Sequence, residues 1–126
     1  ALFRIQRSQI DVCLGAIRLG ALLCNLGMLR IPETILDKTT PLTNDEQARL
    51  RHHPVYSAEL LSGIPQLRAV VPIVLHHHED WSGNGYPVGI SGERIPLGAR
   101  IVRICSSSGA APRPPRPPRP SSGGCG

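Results

Sequence analysis

The sequence predicts an all-α fold, and three observations carry that expectation. Apolar residues recur at three- and four-residue spacing through most of the first 108 positions. Two Ser/Thr-x-x-acid patterns mark helix starts, and aromatic side chains are confined to Phe3, Tyr56, Trp81 and Tyr86. A core made of Leu, Ile, Val and Ala suits helices packed on helices. At 126 residues the chain supports one domain with a modest core.

The first helix is expected over residues 8–27. Ser8 and Asp11 form a capping-box pattern, and Ile10, Leu14, Ile17, Ala21 and Cys24 fall on one stripe. Gly15 and Gly20 each cost about 1 kcal/mol of propensity against Ala, tolerable where another backbone packs close; Gly27 reads as the stop. A second capping box, Thr43 to Glu46, opens a helix through residues 44–53. Pro54 breaks it, because proline disfavours the α conformation at His53. Helical spacing resumes at Val55 and ends at Gly63. Pro65 suits the first position of a further helix over residues 65–79, with Leu67, Val70, Val71 and Val74 as its buried stripe. Residues 80–96 form a turn-rich loop, and residues 96–108 make the last helix.

From Gly109 the composition changes. The Arg-Pro-Pro repeat cannot form a core and favours polyproline II, which lines up Arg113, Arg116 and Arg119. The expected organisation is a helical domain over 1–108 and a disordered Pro/Arg/Gly-rich tail over 109–126. The tail has two accounts: a shifted reading frame in a GC-rich gene, or a ligand for SH3-like partners.

The formal charge of +5 is largely the tail's. Without its three arginines, eleven basic side chains face nine acidic ones over 1–108. No aromatic residues interleave with a basic face, so nucleic-acid binding is not expected. Cys13, Cys24, Cys105 and Cys125 form no C-x-x-C pair, which argues against a disulfide framework or zinc ribbon and for cytoplasmic thiols. The longest apolar run, residues 69–75, is too short to cross a bilayer and contains Pro72, and no signal peptide is recognisable at the N-terminus, so no membrane association is expected.

The stretch HHHEDWSGNGYP, residues 76–87, carries the chemistry. Extending the apolar stripe one turn brings His77 and His78 onto the buried face and leaves His76 to one side, as a solvated neighbour. Two buried imidazoles oblige the fold to satisfy four ring nitrogens, and a divalent metal satisfies two at once. His53, beside the proline break, joins them if the fold brings it near. The glycines of the following loop are expected to supply positive φ, and Pro87 to fix its exit.

Residues 29–65 together with 73–101, and above all the run His77, His78, Glu79, Gly83, Gly85, Tyr86 and Pro87 within the pattern HHExxDGxGYP, resemble the HD-GYP branch of the HD superfamily of metal-dependent phosphohydrolases. The resemblance covers about residues 9–104. It implies an HD-domain-like helical bundle, here truncated at both ends, holding two or three divalent ions, usually iron or manganese, that hydrolyse cyclic di-GMP. It also implies contacts from the loop, with Trp81 and Tyr86 as exposed anchors beside Gly83, Gly85 and Pro87, to partners such as diguanylate cyclase domains.

Several positions depart from the family pattern. The namesake His-Asp pair falls on Cys24 and Asn25, the phosphate-holding lysine on Met28, the loop aspartate on Ser82 and the last metal-binding aspartate on Ser106. A Glu and a His from a helix before residue 9 have no counterpart. His53, His77 and His78 remain as ligands, with Glu79 structural, so at most one weakly bound metal is expected. Cys24 is either a fourth, soft ligand or a small core residue. The expectation is a domain related to cyclic di-GMP phosphodiesterases with little or no catalysis; alternatives are a non-catalytic signalling module that binds a partner or nucleotide, or a decayed gene product.

Overall fold

The structure, a computed structural model, describes residues 7–108; the expected tail, with Cys125, lies outside the described residues. Six α-helices follow in order: α1 Arg7–Leu23, α2 Glu33–Leu36, α3 Asn44–Arg51, α4 His53–Ser62, α5 Val71–His76 and α6 Leu97–Ser108. Short 3-10 turns span Leu26–Arg30, Pro65–Leu67 and Gly92–Arg94. The described residues contain no strand, so the fold is the all-α one expected.

Helix α1 differs from its expected bounds at both ends. It already includes Ser8, so the Ser8–Asp11 pattern is not its cap, and it stops at Leu23, with Gly27 inside the following 3-10 turn. Its packed face runs through Ala16, Ile17, Gly20, Leu23 and Cys24, whereas Leu14 and Ala21 of the expected stripe are exposed. Gly20 is the position that needs smallness, but for the side chain of Ile73 and not for another backbone; Gly15 has open space around it. By length and composition Asp11–Arg30 would also suffice to cross a bilayer, which a search for uninterrupted apolar runs misses. Here the segment changes from α to 3-10 geometry after Leu23, and Cys24 belongs to the core.

The chain then returns onto α4. The Ser57 hydroxyl donates to the Cys24 carbonyl at 2.9 Å and accepts from the Gly27 amide at 2.6 Å, so one buried side chain ties the turn to the helix. A methyl group on Gly27 would overlap the His53 carbonyl and the Ser57 amide, which makes glycine obligatory at this approach.

Thr43 and Glu46 form the expected capping box with both of its hydrogen bonds at the start of α3. The break falls between α3 and α4, with Pro54 in the first turn of α4, and Gly63 caps the end of α4. The single helix expected over 65–79 is two pieces instead. Pro72 occupies the first turn of α5, where its missing N–H costs nothing, so the chain starts a new helix there rather than extending the turn at Pro65.

The core is aliphatic: Cys24, Leu61, Val70, Ile73, Val74 and Val102 pack together, each of the larger side chains contributing about 1.5–3 kcal/mol by burial. Ile73, absent from the expected stripe, sits at its centre and touches both Gly20 and Gly98. This core presents the end of α5, and the loop after it, to the start of α4.

Candidate metal centre

Three imidazoles converge where α4, α5 and the loop meet. Helix α5 ends at His76 and the chain turns, so His77 and His78 leave the helix side by side; His53 projects from the first turn of α4. Ring centroids lie 5.4 Å (His53–His77), 5.0 Å (His53–His78) and 4.1 Å (His77–His78) apart. One nitrogen from each lies within 4.8 Å of the others. The structure therefore unites the trio expected from the sequence.

Backbone carbonyls set the rings. Nδ1 of His53 lies 2.7 Å from the Leu50 carbonyl, and Nδ1 of His77 lies 2.7 Å from the Val74 carbonyl. A carbonyl only accepts, so Nδ1 carries the proton and Nε2 keeps its lone pair for a ligand. Nε2 of His53 is buried with no hydrogen-bond partner, an orphan that a cation would satisfy. Burial, followed by the charges of neighbouring groups, lowers the pKa of His77 to about 4 and of His78 to about 3, and burial lowers that of His53. The cluster is thus neutral at pH 7, the protonation state that ligation requires. Three such donors fit one divalent ion.

Among the described residues, no carboxylate belongs to the group. Asn25 is exposed. Cys24 is outside the cluster: its thiol donates to the Ala21 carbonyl at 3.3 Å, and burial raises its pKa, so it is a protonated core residue and not the soft ligand weighed from the sequence. Met28 is half-buried in the 3-10 turn. Ser82 donates to Asp80, and Ser106 donates back to the Val102 carbonyl at 2.8 Å.

Glu79 is 1% exposed, and its carboxylate is committed to the loop. It accepts from the amides of Val88 at 2.7 Å and Gly89 at 2.9 Å. His76 is not the solvated neighbour expected: its Nδ1 is buried and 3.6 Å from the Glu79 carboxylate. The loop folds back over the cluster through a cis Tyr86–Pro87 bond. Gly83 has the expected positive φ of 87°, but Gly85 does not; it is required because a side chain would overlap the backbone of Glu79 and Asp80.

Trp81 is 59% exposed, as an anchor would be. Tyr86 is not: its ring stacks on His78 at 4.8 Å and 13°, with the Arg51 guanidinium 5.4 Å over its face. Tyr86 therefore packs on the imidazole cluster. Sequence reasoning also missed Arg103, whose guanidinium donates to the His78 carbonyl at 2.9 Å; a lone arginine on a helix carries no pattern that marks it. Arg103 lines a cleft of about 270 Å³ together with His77, His78, Ser106 and Ser107.

Known proteins give this geometry its context. The sequence profile of the HD domain matches residues 12–123. The cyclic di-GMP phosphodiesterase response regulator RpfG of Xanthomonas campestris is 42% identical over 90 residues, 70% of this chain and 24% of its own length. A cyclic di-GMP phosphodiesterase of Thermotoga maritima is 34% identical over 99 residues, 77% of this chain and 27% of its own. A 3'3'-cGAMP-specific phosphodiesterase of Vibrio cholerae is 31% identical over 105 residues, 82% of this chain and 19% of its own. The chain thus spans about a quarter of the length of such relatives, or less.

Proposed function

The chain belongs to the HD domain family, in its HD-GYP branch, and from that premise we propose a phosphohydrolase domain of the cyclic di-GMP phosphodiesterase type that holds at most one metal ion and performs little or no hydrolysis. One observation carries this reading: the cluster that could hold metal consists of His53, His77 and His78 alone. Two neighbouring dications carry four positive charges and need bridging anions. The nearest carboxylates are engaged elsewhere, Glu79 by two loop amides and Asp80 by Ser82 and Arg103.

The chemistry that a single bound ion supplies is Lewis-acid polarisation of a phosphoryl oxygen. The chain's own residues do the rest. His53 and His77 hold their Nε2 lone pairs in position through the Leu50 and Val74 carbonyls. Tyr86 covers the outer face of His78 and limits water on that side. Arg103 offers positive charge beside the same ring. No described carboxylate joins the cluster to act as a metal bridge, so the arrangement favours binding a phosphate ester over cleaving one.

The test is hydrolysis of cyclic di-GMP by protein supplied with manganese or iron, beside calorimetric titration of the same nucleotide. Binding without linear product supports the reading; turnover comparable to the relatives' overturns it. A second reading, a module that engages a diguanylate cyclase domain through residues 81–87, is favoured by the exposure of Trp81, with the Arg100 guanidinium 5.6 Å from its ring. Co-precipitation with such a domain that Trp81→Ala abolishes would support it.

A further inference from the structure

Arg103 is the one cation seated at the imidazole cluster among the described residues of its cleft, and nothing derived so far requires it there. Two anchors hold it. Nη1 donates to the His78 carbonyl at 2.9 Å, and Nη2 donates to the Asp80 carboxylate at 3.3 Å. Asp80 is itself held by the Ser82 hydroxyl. These two bonds hold the guanidinium beside the cluster, although the Arg103 and Asp80 side chains are each 38% exposed, and its remaining N–H groups stay available.

The cleft it lines has no acidic side chain. His77 and His78 form one wall, and Ser106 and Ser107 the other. Both hydroxyls donate back into α6, to the Val102 and Arg103 carbonyls at 2.8 Å, so they add polarity without charge. The guanidinium puts a positive field on that cleft. The same field repels any further cation and attracts an anion.

We propose that Arg103 is a resident cation that sets the charge of what this cleft accepts: it excludes a second divalent ion and binds the phosphate oxygens of an incoming ligand. The inference rests on the one-ion reading above and deepens it. In this arrangement the positive charge facing the phosphate comes from one ion and one guanidinium. A guanidinium can hold an oxyanion by paired hydrogen bonds but cannot deliver an activated water. Arg103 is thus a specificity-determining residue for binding.

Cobalt(II) titrated into wild type, Arg103→Lys and Arg103→Met, with and without inorganic phosphate, tests this by visible absorption and calorimetry. Wild type should take one ion per chain, bound roughly tenfold tighter when phosphate is present. Arg103→Met should bind cobalt about tenfold tighter without phosphate and lose the phosphate effect. Arg103→Lys keeps the charge and should keep most of the coupling. Equal cobalt affinity and equal phosphate response in wild type and Arg103→Met would overturn the proposal. So would a lysine variant that behaves like the methionine one, which would make Arg103 a strut between α6 and the loop. Two ions in wild type would sink the one-ion reading and this proposal together. Should no variant take up cobalt, the reading of at most one ion stands, and phosphate calorimetry without metal decides: Arg103-dependent binding upholds the anion role, and equal binding overturns it.

Discussion

The wall of three imidazoles and the wall that residues 24–28 build against α4 share one scaffold but differ in chemistry. On the first, His53 and His77 are oriented by bonds to backbone carbonyls, His78 by its stack on Tyr86, and the loop above them is held by Glu79. On the second, the close fit persists, with Ser57 clasping Cys24 and Gly27, while residues 24–28 carry no acid. Packing and charge therefore answer to separate constraints: Gly27 is fixed by the backbone of α4 whatever its neighbours carry.

That separation can be broken most severely at Glu79. Glu79→Ala would leave the partly buried loop amides of Val88 and Gly89 without their acceptor and should cost about 2–5 kcal/mol in urea denaturation, with loss of metal affinity because the loop over His78 loosens. Next comes the other wall's packing. Gly27→Ala should cost about 3 kcal/mol or more by forcing the turn away from α4, although it alters no charge. A stability loss under 0.5 kcal/mol would show that the two walls are not held by this contact.

The imidazole wall also makes a pH prediction. Unfolded histidines protonate near 6.5, whereas His77 and His78 stay neutral in the fold down to about 4 and about 3. The unfolded state therefore binds more protons in that window, and stability of the metal-free protein should fall as pH drops from about 6.5 toward 4, by on the order of 1 kcal/mol per pH unit for each group. His78→Gln should flatten the curve; an unchanged slope would mean that the rings are not desolvated. Thr43→Ala, far from both walls, should cost about 1 kcal/mol through the lost cap. Asn25→Asp, on the exposed edge of the second wall, should change stability by less than about 0.5 kcal/mol, which sharpens the contrast: charge there matters to ligands and not to the fold.

What was legible in the sequence follows the same division. Local signals were reliable where one residue decides the backbone: the Thr43–Glu46 box and the stop at Gly63 appear where their chemistry puts them, whereas the break expected at His53 falls at His52, with His53 already the first residue of α4. The histidine trio was legible because neighbouring imidazoles on an apolar stripe have few bland explanations. Periodicity failed on α1, whose alternating Leu, Ile and Ala offer two overlapping stripes that only the docking of Ile73 against Gly20 distinguishes. It failed again after Pro65, because the pattern continues through Pro72 while the backbone cannot. The orientation of Tyr86 and His76 and the seating of Arg103 depend on the loop folding back, a tertiary event with no sequence period.

Three imidazoles without an acidic companion should gather at most one divalent ion and not two. Counting ions directly tests it: crystals grown with manganese or iron in excess, with anomalous scattering measured at the metal edge. One site at His53, His77 and His78 is the predicted result; two fully occupied ions bridged at this cleft would contradict it.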